Sequence, residues 1–172
     1  INQMRFLDSL IGLANWEDRI GAITLRYGFE EPDSTRSRNY IYKWRASLLD
    51  AAEGYLGGEG ENTIENACAS LLSACKERFS YFPIADKNIV YDPDQIERII
   101  LQIKTISSNR NGAFLSLSFI YSPPFEQLNP AWEANITEGS HWHSYVETKI
   151  RGNSLNEVCA QLWEQLQKSH SD

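Results

Sequence analysis

The chain has 172 residues, 42% apolar and 23% charged, an ordinary balance for a globular protein. That length predicts a single domain, 1–172, whose core needs no disulfide or metal staple. A net charge of −7 argues against a general polyanion binder, although a local basic patch can still hold one phosphate.

In chain order, the first half reads as helical. Residues 3–14 place Met4, Phe6, Leu7, Leu10, Ile11 and Leu13 on one broad apolar face. A second helix is expected after Asn15, which can cap it, with Ile20, Ile23, Leu25 and Tyr27 continuing the pattern. Gly28 to Asp33 breaks it, with Pro32 as the stop. A third helix is predicted from Ser34 to Tyr55, closing at Gly54, Gly57 and Gly58, and a fourth over 62–79. Thr63, Glu65 and Asn66 stand near the positive end of that fourth helix, where a carboxylate is favoured.

Ile89, Val90 and Tyr91 read as a short strand or an extended lead. Asp92-Pro93-Asp94-Gln95 then starts a helix, with a capping Asp and Pro at the first helical position. Ile96, Ile99, Ile100 and Ile103 form its stripe, and it ends near Ser107. Residues 113–121 alternate apolar with serine, the period of a strand with one buried face. A proline-bearing loop over 122–131 leads to a hairpin of 132–137 and 141–151, turning at Glu138-Gly139. Gly152 breaks the second strand, Ser154 can cap a last helix, and Glu157 completes a capping box. No internal repeat and no low-complexity segment is evident. The expected architecture is α+β: a helical part over about 1–80 packs on a small, mainly antiparallel sheet within about 89–168, and the C-terminal helix closes over it.

No apolar run reaches the ~20 residues of a membrane helix, and the first residues lack a signal-peptide pattern. Three cysteines, Cys68, Cys75 and Cys159, lack framework spacing and read as buried, reduced thiols. A cytoplasmic protein is the expectation, and the Asn135-Ile136-Thr137 sequon is then accidental. His141-Trp142-His143 is the one histidine pair; on a strand both rings share a face, making His141 and His143 weak metal candidates beside the plainer reading of a wet hairpin face. Arg36, Arg38, Lys43 and Arg45, interleaved with Tyr40, Tyr42 and Trp44, form the one basic-aromatic cluster. Its plainer reading is a helix with Tyr40, Ile41, Trp44 and Leu48 buried and the cations in solvent, and nucleic acid is not expected as a partner. No phosphate-cradling glycine loop or nucleophile-base motif stands out.

Four segments of the second half follow a known order: DPDQIERIILQIK at 92–104, SNRNGAFLSLSF at 108–119, NPAWEANI at 129–136 and HSYVETKIRGNSLNEV at 143–158. Over residues 91–167 this resembles the core of the thymidylate synthase and deoxynucleotide hydroxymethylase superfamily. The resemblance places Ala131 where that family keeps its nucleophilic cysteine. It also leaves Arg110 followed by Asn111 instead of a second arginine, and Arg151-Gly152-Asn153-Ser154 in place of Arg-Ser-x-Asp. It implies a divergent, catalytically impaired protein without cofactor, in which Arg110 and Arg151 hold the phosphate of a nucleoside monophosphate or similar anion. The loop would close over the base with Tyr121, Phe125 and Trp132, and no catalytic residue is assigned. The alternative is a non-enzymatic accessory protein, of bacterial or phage type, that uses the same aromatic loop against a protein partner or a second copy of itself.

Overall fold

In the computed structural model, residues 2–3, 5–29, 41–80, 90–109, 113–125, 131–140 and 143–171 are described. The elements run β1 (Asn2–Gln3), α1 (Arg5–Trp16), β2 (Ile20–Phe29), β3 (Tyr42–Asp50), β4 (Gly54–Gly57) and α2 (Ile64–Arg78). They continue with β5 (Val90–Tyr91), α3 (Pro93–Asn109), β6 (Ala113–Tyr121), β7 (Trp132–Ser140), β8 (His143–Gly152) and α4 (Leu155–Ser171). Strands β2–β4 and β6–β8 form one six-stranded antiparallel sheet in the order β4-β3-β2-β6-β7-β8, and β1 pairs separately with β5. The α+β class, the antiparallel sheet and the closing helix are as expected.

The first half is a different matter. Residues expected to continue a helix after Asn15 form β2, and the helix expected over 34–55 gives way to β3 and β4 where the chain is described. The sheet is therefore larger than anticipated and drawn equally from both halves. Trp44, Ala46 and Leu48 are buried while Lys43, Arg45, Ser47 and Leu49 are less so, the period of two that a half-buried strand demands. Trp44 and Leu48, four apart, also satisfy helical spacing, so period alone left both options open.

The element order repeats: a short strand, a helix, three strands and a helix, twice. The central pair β2 and β6 meets with Leu25 opposite Phe119, flanked by Ile23↔Tyr121 and Tyr27↔Leu117. On either side the next strands match residue for residue. Trp44, Ala46 and Leu48 of β3 stand opposite Tyr27, Leu25 and Ile23, and Trp132, Ala134 and Ile136 of β7 stand opposite Tyr121, Phe119 and Leu117. The tilted Tyr–Trp contact recurs, with ring centroids 5.2 Å apart for Tyr27–Trp44 and 5.4 Å for Tyr121–Trp132. The buried faces of α2 and α4 also align: Ile64 with Leu155, Ala67 with Val158, Cys68 with Cys159, Leu71 with Leu162 and Cys75 with Leu166. The molecule is thus a tandem repeat about a pseudo-twofold axis between Leu25 and Phe119, which the sequence did not disclose.

Local chemistry sets the helix boundaries. The Thr63 hydroxyl accepts from the Asn66 amide at 3.1 Å, and the equivalent Ser154 hydroxyl accepts from Glu157 at 3.1 Å. Glu157 reaches back to the Asn153 amide at 2.8 Å, one residue beyond the usual capping-box donor. Asp92 caps α3 by accepting from Asp94 and Gln95. At the β3–β4 turn the Asp50 carboxylate, wholly buried, accepts from the Ala52 amide at 2.9 Å and faces Arg19 and Arg78 at 3.4 Å each. Gly57 has φ +86°, and a Cβ there would lie 2.6 Å from the Ala46 carbonyl oxygen and 2.7 Å from Leu71 Cδ1 of α2, so Leu71 packs on the sheet over a glycine.

All four helices bury their apolar faces in one cluster with the inward side chains of the sheet. The repeats are tied across the axis as well: the Tyr121 hydroxyl donates to Asn15 of α1 at 2.6 Å, and Lys104 of α3 lies 5.4 Å from the Tyr27 ring. Equivalence of the repeats makes a measurable demand. Trp44→Ala and Trp132→Ala should each lose roughly 3–5 kcal/mol, the range for truncating a buried aromatic, in urea denaturation. A loss confined to one of the two would show that the halves are not energetically matched.

Candidate functional site

The structure describes some of the residues singled out in the sequence and leaves others outside the described residues. Tyr121 and Trp132 are core residues, in ring contact with each other, and contribute no free surface. Of the loop aromatics only Phe125 is exposed, at 57%. Ala131 packs partly buried against the core, and its carbonyl accepts from the Ser122 amide at 2.9 Å. Its methyl group offers no nucleophile. Arg151 points outward from β8, exposed, with its Nε 3.3 Å from Glu133 of β7. Arg110 and His141 lie outside the described residues, as do Arg36, Arg38 and Tyr40, and the side chain of His143 is likewise not described. Among the described residues no group of histidine, cysteine and carboxylate side chains is placed to hold a metal.

The thiols are equally unsuited to covalent chemistry. Cys68, Cys75 and Cys159 are buried on the inward faces of α2 and α4. Burial pushes each of them from the usual 9.0 up to about 12, with Glu65 adding to the rise at Cys68 and Asp92 at Cys159, while Arg78 opposes it at Cys75. A thiol held protonated is a poor nucleophile. Burial also raises the Tyr91 phenol, whose hydroxyl donates to Glu65 at 3.0 Å.

What remains is a surface. With the helices on one side of the sheet, no described element covers the other. Its outward residues can be followed across strands by register. One row runs Ser47, Thr24, Ile120, Glu133 and Arg151; the next runs Arg45, Arg26, Ser118, Asn135 and Lys149; a third includes Lys43, Gly28, Ser116 and Thr137. Five cations therefore share this face with Glu133 and, at the register position opposite Thr137, Glu147, in a chain whose net charge is −7. Several are held in place. The Lys43 ammonium donates to Asn62 Oδ1 at 2.7 Å, and Arg45 donates to the Gly58 carbonyl. Arg26, exposed in the middle of the face, has Arg45 directly opposite and Ser118 on its other side. A Cβ on Gly28 would lie 3.1 Å from the Arg26 Nε, so the guanidinium rests along β2 over a residue with no side chain.

Lys43 and Arg45, expected in solvent on a helix, are half-buried on the outward face of strand β3, and Arg26, Ser118, Asn135 and Lys149 carried no sequence motif that singled them out. The available signal was alternation in β2, where Ile23, Leu25 and Tyr27 interleave with Thr24, Arg26 and Gly28. A second concavity, of about 410 Å³ between β8 and α4, is lined by Ile150, Gln161, Glu164, Gln165 and Lys168 and is open to solvent. Among the described residues no helix is long and apolar enough to cross a membrane. Comparison with protein-family models, curated proteins and solved structures returns no match.

The raised thiols carry a pH prediction. Below about pH 9 the thiols are protonated in folded and unfolded chains alike, and their contribution to stability is complete. Between about 9 and about 12 the unfolded chain releases protons that the folded one retains, so stability falls as pH rises. Each thiol steepens the fall by at most about 1.4 kcal/mol per pH unit. Urea titrations from pH 8 to 10.5 should show that decline, and Cys68→Ala with Cys159→Ala should flatten it.

Proposed function

We propose that this protein is a non-catalytic binding module that takes a protein partner on the open face of its six-stranded sheet. The observation that carries the reading is a sheet face that no described element covers, with Arg26 exposed at its centre among side chains able to donate hydrogen bonds. At about 4.8 Å per strand spacing the face is about 24 Å wide, a dimension suited to a polypeptide more than to a small molecule, which favours a concave pocket. The chemistry elsewhere agrees with a binding role. Position 131 is alanine, and all three thiols are buried and protonated. Reduced, buried thiols also fit a reducing compartment such as the cytoplasm.

The resemblance of residues 91–167 to nucleotide-binding synthases supports a second reading, in which Arg151 and Arg110 hold the phosphate of a nucleoside monophosphate. Arg151 is exposed on the same open face, although Glu133 at 3.3 Å already competes for its guanidinium. Thermal unfolding separates the two readings. A deoxynucleoside monophosphate that binds only the folded chain raises its melting temperature, and Arg151→Gln should abolish that rise if the second reading is correct.

For the docking reading, Ser118→Trp places a bulky ring at the middle of the open face and leaves the core untouched. Peptides selected from a displayed random library against the wild-type chain should bind the variant about tenfold more weakly or worse, a loss of about 1.4 kcal/mol. No enrichment, or peptides indifferent to the tryptophan, would overturn the reading.

A further inference from the structure

We propose that the partner is an acidic polypeptide segment with apolar residues between its carboxylates, laid across the strands along the row Arg45, Arg26, Ser118, Asn135 and Lys149. The inference rests on the docking reading and names the chemistry of the occupant.

The geometry of the row points to a carboxylate-bearing guest. Arg26 and Arg45 stand directly opposite on neighbouring strands, an arrangement that like charges disfavour in the free protein and that an anion between them relieves. Arg26 has no hydrogen bond or ion pair to another described residue, so its guanidinium fork is available to grip a carboxylate through two parallel hydrogen bonds. Gly28 lets that fork lie flat against the strand, because a Cβ at 28 would sit 3.1 Å from Nε and 3.2 Å from the Leu115 carbonyl oxygen. The row ends in Lys149 on β8. From Arg45 to Lys149 is four strand spacings, roughly 19 Å, which about six extended residues span at ~3.3 Å each. Beside the row, Ile120 and Leu49 offer apolar contacts on the same face, which is the reason for apolar residues between the acids.

Two observations favour a short acidic peptide over a nucleic acid. Among the outward-facing described side chains the single aromatic is Tyr55, on the edge strand β4 and 79% exposed. The described side chains therefore form no stacking platform for successive bases. The chain's net charge of −7 also repels a long polyanion at a distance, whereas a short segment seated within a Debye length meets mainly the local cations.

Fluorescence polarisation on the full chain tests this with a labelled peptide of glutamates interspersed with leucines, its glutamine counterpart, and an oligothymidylate of equal length. The glutamate peptide should bind, weaken as salt is added, and exceed the glutamine peptide by about tenfold or more. Arg26→Gln and Arg26→Glu should lose at least that factor, while Lys168→Gln on α4 changes nothing; circular dichroism verifies that each variant is folded. Equal binding of the glutamine peptide, indifference to Arg26, or tighter binding of the oligonucleotide would overturn the proposal. So would a dimer in sedimentation that Arg26→Glu dissolves, because the face would then belong to a second copy of the chain. Library peptides blocked by Ser118→Trp but lacking acids would sink this inference alone and leave the docking reading standing. If Ser118→Trp blocks nothing, both fall.

Discussion

The antiparallel contact between β2 and β6 is the constraint on which the rest of the molecule depends. Leu25 and Phe119 face each other there at almost no solvent exposure, and every other strand of the six-stranded sheet is registered outward from that pair. Because side chains alternate with a period of two, a slip of one residue at this joint would move Ile23, Leu25, Leu117 and Phe119 to the opposite face of the sheet. The aromatic pairs on both sides, Tyr27 with Trp44 and Tyr121 with Trp132, support that register by packing directly across neighbouring strands.

That one joint also divides the molecule by chemistry. The inward side chains of both repeats collect under four helices and make a single core. The outward side chains, by the same alternation, make a polar and locally basic plane. An acidic protein can therefore carry a cationic face without a dedicated insertion, because the strands that build its core project their other residues together. Orientation is then enforced by the fold: Arg26 cannot turn inward unless Leu25 turns outward.

Much of this was legible in the sequence, and the exceptions have physical causes. The Asp92-Pro93 start of α3, the serine alternation of β6, and the Ser154 and Glu157 signals of α4 are local features, and the structure keeps each of them. Strands β2 and β3 were hidden because their spacings fit two periods. Trp44 and Leu48 match one face of a helix as well as one face of a strand, and only pairing with Leu25 and Ile23, distant in sequence, decides between them. The repeat escaped because its halves share shape more than identity; Trp44-x-Ala46-x-Leu48 and Trp132-x-Ala134-x-Ile136 are short matches that acquire meaning once both tryptophans are seen beside a tyrosine. The candidate face was least legible. Arg26 is one arginine in an apolar stretch, and its neighbours Ser118 and Lys149 reach it only through hydrogen bonding across strands.

The pairing of β1 with β5 obeys the same symmetry, Asn2 opposite Tyr91 and Gln3 opposite Val90, each repeat lending its leading residues to the other. A half-length polypeptide of residues 2–78 would thus be left with a bare β2 edge and an unmatched leading strand. Both lost neighbours resemble what it already owns, since Leu25 can stand against a second Leu25 much as it stands against Phe119. For such a fragment, folding and self-assembly would be one concentration-dependent reaction, which the covalent link between the two repeats makes intramolecular.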